Sequence, residues 1–271
     1  VAFFNDHLIR MKYSLLLLFL ATAALQDEVP PYLTMPAKGY TDTPTLPGQK
    51  WKVHDKNRPI PSFVGPAGQN LPIAAPSDAT VLFDGSSLDS WQANNGKPAK
   101  WKLTEGASME VNGTGDIQTA ESFGDCQLHV EWMSPVSEHA SQGASNSGVY
   151  MMNLYEIQVL DSWSSRTYPD GQAAALYGQY PPLVNSSRRP GTWQSYDIVF
   201  RAPKFKGGKL VAPATITLFH NGVLAHNNQE FIGRTVHKKV APYEAHPAKL
   251  PLKLQDHGNP VRYRNIWIRP L

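Results

Sequence analysis

A short stretch, residues 155–161, holds the side chains best suited to chemistry. In an extended strand alternate side chains share a face, so Glu156 and Gln158 are expected side by side, about 7 Å apart. A bulge after Val159 would bring Asp161 onto the same face. Carboxylates in such a row can act as general acids or bases, and charged neighbours are costly unless something pairs with them or binds there. The alternative is a solvated face whose side chains have hydrogen-bonded partners.

Composition narrows the class of protein that positions this row. The chain has 271 residues, of which 41% are hydrophobic and 17% charged, so it can bury a sizeable core and is not wholly disordered. The net charge of +3 is too small to indicate nucleic-acid binding, and no block of basic residues does so either. A single cysteine, Cys126, excludes an internal disulfide and a cysteine-based zinc site.

The hydrophobic pattern predicts an all-β fold, an antiparallel two-sheet sandwich. Apolar and polar residues alternate with the period of two that strands require, whereas no run of ten residues after the N-terminal apolar stretch shows a helical period. Strands are predicted around residues 126–132, 196–200, 216–218, 252–254 and 261–268. Asn221 and Gly222 predict a hairpin turn because both tolerate a left-handed backbone.

The N-terminus has the features of a targeting segment. Met11 and Lys12 precede an apolar run of about twelve residues and an Ala-Thr-Ala sequence at 21–23, as in a secretory signal peptide. A membrane span needs ~20 apolar residues. We therefore expect residues 1–23 to be an over-extended start plus a cleaved signal peptide, with the protein secreted or periplasmic and without a stable membrane anchor. The alternative is a retained anchor helix.

A proline-rich stretch follows the targeting segment. Ten prolines between residues 27 and 76 exclude a helix or a central strand. Apolar residues such as Trp51 and Phe63 make a free linker less suitable. We expect residues 24–76 to form an extended arm laid over a β-sandwich domain of residues 77–271; the alternative is a disordered spacer.

Several motifs of the chain occur in a recognisable order. They are VLFDG at 81–85 with Trp91, GDCQLHVEW at 124–132, NSGVYMM at 146–152, YEIQVLD at 155–161, the stretches 175–200, 220–227 and 254–271, and WKVHD at 51–55 with Arg58-Pro59 in the arm. In this order they resemble the 3-keto-disaccharide hydrolase domain family. The resemblance covers about residues 70–271 and part of the arm. It implies a jelly-roll sandwich of the concanavalin A-like lectin and glucanase type, with a concave face that holds sugar.

The resemblance also implies action on disaccharides or other glycosides oxidised to a ketone at carbon 3. The ketone acidifies the hydrogen on carbon 2, so a base can remove it, and the enolate then expels the substituent on carbon 1 before water adds back. Such a site needs a base, an enolate stabiliser and an acid. Glu156 and Asp161 are the candidate carboxylates, His257 a candidate base or acid, and Arg264 or a divalent cation the candidate stabiliser.

Four further residues are expected to bind the substrate. Gln158 belongs to the row, the amide of Asn146 can bind a sugar hydroxyl, and the rings of Trp163 and Tyr177 can stack on sugar. The alternatives are a plain turn at Asn146 and ordinary packing of the two rings. No complete metal-ligand set can be read near His257, so a divalent cation stays a candidate without assigned ligands.

Three functions stay open at the level of the sequence. They are an exported enzyme that cleaves 3-keto-glycosides, a non-catalytic carbohydrate-binding module, and a direct retaining glucanase. The row also resembles the Glu-x-Asp-x-x-Glu strand of laminarinase-type glucanases. It departs from that pattern at Gln158, which cannot titrate, and at Asp161, which is one methylene shorter.

Overall fold

The computed structural model describes residues 29–66 and 68–271. The expected start and signal peptide, residues 1–23, lie outside the described residues, as do residues 24–28 of the expected arm. The predictions made for them therefore stay predictions.

Short strands and turns make up the described part of the chain. Its strands are β1 (Thr80–Phe83), β2 (Trp91–Ala93), β3 (Lys102–Thr104), β4 (Ser108–Glu110), β5 (Ile117–Phe123), β6 (Cys126–Met133), β7 (Ser147–Met151), β8 (Tyr155–Val159), β9 (Gln194–Arg201), β10 (Lys204–Lys206), β11 (Lys209–Ala212), β12 (Thr215–His220), β13 (Val223–Glu230), β14 (Leu250–Leu254) and β15 (Arg262–Pro270). Its helices are 3₁₀ turns at Pro31–Thr34, Ser141–Gly143 and Pro169–Gly171. Within the described ranges no helix has the length and apolar character to cross a membrane.

The strands form two antiparallel sheets and a separate hairpin. The eight-stranded sheet has the order β13-β12-β9-β6-β15-β4-β3, and β1 pairs with the C-terminal half of β15. The five-stranded sheet has the order β2-β5-β14-β7-β8, while β10 and β11 pair with each other. The expected all-β antiparallel sandwich is confirmed.

Alternation along each strand separates the core from the outer faces. In β6, Leu128, Val130 and Trp132 are buried in the core, and the intervening His129 and Glu131 face away from it, as a period of two requires. In the other sheet Val149 of β7 and the apolar residues of β8 pack into the same core. Tyr150 of β7, Glu156 and Gln158 of β8 and Lys253 of β14 therefore share the outer face of the five-stranded sheet.

The predicted turn between β12 and β13 is a left-handed one. Asn221 and Gly222 have φ angles of 52° and 79°. Two positive φ angles suit a two-residue hairpin, because their twist matches that of the flanking strands. The turn leaves His220 and Val223 paired across the hairpin.

Residues 29–76, called here the N-terminal segment, lie against both sheets, with residue 67 outside the description. Tyr32, Leu46 and Val53 are buried at 1%, 2% and 0% exposure. Further along, the amide of Ile73 donates to Glu131 Oε1 at 2.9 Å on the outer face of the eight-stranded sheet. The segment has no regular strand of its own, because its prolines lack the donors that a ladder needs.

Candidate functional site

A cavity of about 380 Å³ opens on the outer face of the five-stranded sheet. Strands β7 and β8 form its floor, and the loops after β8, β13 and β14 form its walls. It is lined by Tyr40, Gln142, Asn146, Tyr150, Glu156, Gln158, Tyr168, Tyr177, Thr235, His237, Gln255 and His257. Polar and aromatic side chains of this kind, converging on one hollow, are typical of a ligand site.

The register of the strands orders the floor into two rows. In the first, called here the reactive row, Tyr150 of β7 pairs with Glu156 on one side and with Lys253 of β14 on the other. In the second, called here the amide row, Gly148 pairs with Gln158 on one side. On the other side the backbone N–H of Gln255 donates to the carbonyl of Gly148 at 3.0 Å.

Gly148 makes room in the middle of the floor. A Cβ atom at this position would lie 2.8 Å from Glu156 Oε1 and 2.9 Å from Tyr150 Cε2. Such contacts are closer than packed atoms tolerate. The carboxyl group of Glu156 therefore leans over Gly148, into the space that a side chain there would fill.

Glu156 is 2% exposed, and burial of its carboxyl group favours the neutral form. Burial raises its pKa to about 8, and the hydrogen bond with Tyr150 and the charge of Lys253 offset only part of this rise. Desolvation disfavours the charged form of a carboxyl group, whereas a nearby cation favours it. Glu156 thus keeps its proton at neutral pH and can act as a general acid.

Lys253 brings positive charge to the reactive row. Its Nζ lies 3.9 Å from the centre of the Tyr150 ring and 3.2 Å from Asp116 Oδ2. Burial, followed by the charge of Glu156, raises the pKa of Tyr150 well above its ordinary value. Tyr150 therefore stays a hydroxyl that can donate a hydrogen bond.

A chain of amides holds the far end of the floor. Gln158 Nε2 donates to Asn146 Oδ1 at 2.9 Å, and Asn146 Nδ2 donates to the carbonyl of Gln142 at 2.9 Å. Gln158 Nε2 also donates to the carbonyl of Val159 at 3.1 Å, and Asn146 Nδ2 also donates to Gln142 Oε1 at 3.3 Å. The side chains of Asn146 and Gln158 are consequently held in fixed orientations.

Aromatic side chains form one wall of the cavity. The hydroxyls of Tyr168 and Tyr177 lie 2.7 Å apart, and the Tyr177 hydroxyl is 3.0 Å from His237 Nδ1. Behind this wall the ring of His54, from the N-terminal segment, lies 4.0 Å from that of Tyr168. His54 Nδ1 is 3.2 Å from Asp170 Oδ1, and both side chains are fully buried.

Five of the residues expected at the site line this cavity: Glu156, Gln158, Asn146, Tyr177 and His257. Glu156 and Gln158 share the floor, as strand alternation predicts. His257 is exposed at the rim, in the turn between β14 and β15. The pKa of His237, which also lines the cavity, is lowered chiefly by burial and then by the charges of His54, Lys238 and His257.

The structure places Asp161 and Trp163 outside the cavity. The chain leaves β8 at Val159 without the bulge that would have turned Asp161 onto the floor. Asp161 Oδ1 instead accepts hydrogen bonds from the amides of Trp163 and Ser164 at 3.0 and 2.9 Å. This is the usual way in which an aspartate closes a turn. The ring of Trp163 packs edge-on against Phe63, 5.2 Å away, and so anchors the N-terminal segment.

Arg264 was expected at the enolate and lies on the other sheet. It belongs to β15, and its Nε donates to Glu131 Oε2 at 2.7 Å. Its guanidinium lies 4.1 Å from the centre of the Trp193 ring. Strand alternation gives the face of a residue but not the sheet that its strand joins, and this is why the expectation was wrong.

Sequence reasoning missed Tyr150, Gln255 and the cavity-lining tyrosine of the N-terminal segment, Tyr40. A signal for Tyr150 was present, since Gly148 and Tyr150 alternate with apolar neighbours in the NSGVYMM motif. What the sequence lacks is the register that sets Tyr150 opposite Glu156.

Three or more His, Cys, Asp or Glu side chains do not converge in a metal-binding geometry anywhere in residues 29–66 and 68–271. Asp256, next to His257, uses its oxygens on backbone amides: Oδ2 accepts from Gly115 and Oδ1 from Gly258, both at 2.9 Å. The divalent cation considered from the sequence therefore has no ligand set here.

Comparison with known proteins agrees with this fold. A solved structure of a candidate glycosyl hydrolase from Parabacteroides distasonis ATCC 8503 is 40% identical, with a TM-score of 0.72, over 79% of this chain and 93% of that one. Two further candidate glycosyl hydrolases from the same organism are 21% and 22% identical, each with a TM-score of 0.52, over 72% and 71% of this chain and 94% and 99% of theirs. These two show likeness of fold alone. No protein with a curated description matches the chain.

Residues 78–269 match the 3-keto-alpha-glucoside-1,2-lyase-like domain family. The match spans most of the chain and confirms the resemblance drawn from the motifs. The chain accordingly belongs to the family of 3-keto-alpha-glucoside-1,2-lyase-like domains, and its function is a carbohydrate-active one.

Proposed function

We propose that the protein cleaves the glycosidic bond of 3-keto-disaccharides or related 3-keto-glycosides by elimination followed by hydration. The observation that carries the proposal is Glu156, a buried carboxyl group on the floor of the cavity whose pKa burial raises to about 8. An acid of this kind is what the departing glycosidic oxygen requires. The family match and the 40% identical structure support the carbohydrate class.

The elimination assigns one task to each group near the reactive row. The imidazole of His257 takes the proton from carbon 2, and the electron pair of that bond passes to the ketone oxygen as an enolate. The charge of Lys253 and the hydroxyl of Tyr150 stabilise the enolate. When the ketone re-forms, the bond from carbon 1 to the leaving oxygen breaks, a double bond forms between carbons 1 and 2, and Glu156 protonates the leaving oxygen.

Hydration then completes the reaction. Water adds across the double bond, with its oxygen on carbon 1 and a proton on carbon 2. His257 delivers a proton to carbon 2 after exchange with solvent, and Glu156 takes the proton that the attacking water loses. Both groups return to their starting forms.

Direct retaining hydrolysis is less well supported by the cavity. That reaction uses two carboxyl groups about 5 Å apart. Of the described residues that line the cavity, Glu156 alone carries a carboxyl group. The second carboxylate considered from the sequence, Asp161, holds a turn elsewhere.

Cleavage of a 3-keto-disaccharide in heavy water tests the proposal. Elimination and hydration should place deuterium at carbon 2 of the product, above the exchange measured without enzyme. Glu156→Gln and His257→Ala should each lower turnover at least ~100-fold, the scale of a lost acid or base. Turnover of wild-type protein should fall as the pH rises through about 8, because Glu156 then loses its proton. Cleavage without deuterium above background, or cleavage of the unoxidised disaccharide alone, would refute the proposal.

We also propose that the protein is exported to the periplasm or the exterior through the segment around residues 11–23. The support is the basic start, apolar run and small-residue end of that segment. Cell fractionation and N-terminal sequencing of the exported protein test this. A protein that stays in the cytoplasm with residues 11–23 attached would contradict it.

A further inference from the structure

Two buried amide oxygens in the cavity have no hydrogen-bond partner among the described residues. They are Gln158 Oε1 and Gln255 Oε1. Gln158 is 0% exposed, and both residues line the cavity. Buried polar atoms in folded proteins nearly always have partners, so these two oxygens call for a ligand that donates.

The orientation of the Gln158 amide is fixed by its nitrogen. Gln158 Nε2 donates to Asn146 Oδ1 at 2.9 Å and to the carbonyl of Val159 at 3.1 Å. Gln255 Nε2 donates to the Tyr150 hydroxyl at 3.2 Å. Turning the Gln158 amide over would set its oxygen against two acceptors. The free atom at Gln158 is therefore the acceptor.

The two amides flank an opening of limited width. Gln158 and Gln255 stand on either side of Gly148 in the amide row. With strands about 4.8 Å apart, their backbones lie about 10 Å from each other, with only Gly148 of the amide row between them. The carboxyl group of Glu156 and the ring of Tyr150 lie over Gly148, so a sugar ring held between the two amides would rest against both groups.

The chemistry of the opening favours hydroxyl groups over a cation. Two neutral amide oxygens accept hydrogen bonds from hydroxyl donors. A divalent cation would find few charged ligands here, because Glu156 is the one carboxyl residue among the described residues that line the cavity. A ketone oxygen is itself an acceptor and cannot donate a hydrogen bond to either amide oxygen.

We propose that Gln158 and Gln255 together bind two hydroxyl groups of the oxidised sugar ring and turn its ketone toward the reactive row. The substrate class is thus a 3-keto-glycoside whose oxidised ring keeps two free hydroxyls at the positions that these amides contact. The inference rests on the proposed function for the identity of the sugar. It adds that Gln158 and Gln255 determine the specificity for the oxidised sugar ring.

Kinetics with singly deoxygenated 3-keto-glycosides test the pair on unaltered protein. Removing one hydroxyl of the oxidised ring at a time should lower kcat/KM at least ~10-fold at two positions, because a site built to bind a hydroxyl rejects analogues that lack it. If every such analogue is cleaved as well as the parent compound, the inference is overturned while the proposed function stands.

Variants then assign each hydroxyl to an amide. Gln158→Met and Gln255→Met should each raise KM at least ~10-fold, whereas Gln255→Glu keeps an acceptor oxygen and should lose less. Gln229→Met, on β13 and outside the cavity lining, is the matched control. On the analogue that lacks the hydroxyl bound by the substituted amide, each Met variant should show little further loss of kcat/KM. This non-additivity is expected of groups in contact. Additive losses in every combination would overturn the inference.

Two further measurements separate the inference from the proposed function. Binding of the unoxidised disaccharide, measured by titration calorimetry, should weaken in both Met variants. If it weakens but no keto-glycoside is ever cleaved, the proposed function is wrong while the inference about Gln158 and Gln255 holds. If wild-type KM instead follows added calcium or magnesium, and the Met variants lose this response, the amides hold a cation and the inference is overturned.

Discussion

Glu156 shows how one side chain can couple the chemistry of the cavity to the stability of the fold. Its carboxyl group is shielded from water, so the folded protein holds a proton that the unfolded chain releases at lower pH. Its pKa rises on folding from 4.5 to about 8. The stability linked to this proton is fully present below pH 4.5 and is lost as the pH rises through about 8.

Glu156→Gln should remove this pH dependence. The variant keeps the shape of the side chain but has no proton to lose, so its Tm relative to wild type should increase steadily between pH 4.5 and about 8. Thermal unfolding followed by circular dichroism across this range measures the difference. Glu121→Gln, at an exposed position of β5, is the control. Parallel curves for the Glu156 variant and wild type would contradict the raised pKa.

Gly148→Ala should disable the site while leaving the sandwich folded. The added methyl would meet Glu156 Oε1 at 2.8 Å and Tyr150 Cε2 at 2.9 Å, so both reactive groups must shift. Displacing a catalytic group by about 1 Å costs about 100-fold in rate, and we expect a loss of that size in kcat/KM. The assay uses the 3-keto-disaccharide, with circular dichroism to check folding.

Gly65→Ala provides the matched control for this change. Its added Cβ would meet nothing closer than 3.8 Å, so activity should be unchanged. Full activity in Gly148→Ala would mean that the carboxyl group of Glu156 does not work from the position over Gly148.

At the scale of elements, the N-terminal segment is fastened to the eight-stranded sheet by Glu131. Its oxygens accept hydrogen bonds from Ile73 of the segment at 2.9 Å and from Asn265 and Arg264 of β15 at 2.8 and 2.7 Å. Burial alone would raise the pKa of Glu131, but the hydrogen bonds from His129, Asn265, Arg264 and Ile73 lower it to about 2. The stability from this carboxylate is present above pH 4.5 and is lost as the pH falls through about 2.

Glu131→Gln should therefore destabilise the protein at neutral pH and flatten its stability between pH 4.5 and 2. We expect about 3 kcal/mol, the scale for breaking a buried ion pair, measured by urea unfolding. Glu110→Gln removes the carboxylate that Arg262, two residues earlier on β15, binds at 2.7 Å. That pair is more exposed, so its loss should cost about 1 kcal/mol or less. Equal losses in the two variants would contradict a special role for Glu131.

The same elements show what the sequence could and could not predict. Strands β6, β9, β12, β14 and β15 follow from alternation, because a half-buried strand must alternate. The common face of Glu156 and Gln158 follows for the same reason. Register and sheet membership depend on contacts between distant strands, so Tyr150 was missed and Arg264 was placed at the wrong sheet. Asp161 depended on a bulge that the chain does not make.

At the scale of the whole molecule, one connected segment joins the cavity to the far side of the sandwich. Its residues Tyr40 and His54 line or support the cavity wall, and Ile73 reaches the outer face of the opposite sheet. The wall therefore depends on a stretch of chain outside the strands that form the floor.

This arrangement has a consequence for the order of folding. The segment precedes the strands in the sequence but binds surfaces that later residues form: His54 pairs with a residue 116 positions away, and Ile73 with one 58 positions away. Contacts so distant along the chain form slowly, and these need a finished sheet to bind. After dilution from denaturant, the far-ultraviolet circular dichroism of the strands should recover first and enzymatic activity after a delay. A single rate constant for both signals would show that the segment docks while the sheets assemble. If the delay is observed, the newly folded sandwich passes through an interval in which the floor of the cavity is complete and its wall is not. Activity then begins only when the N-terminal segment has docked.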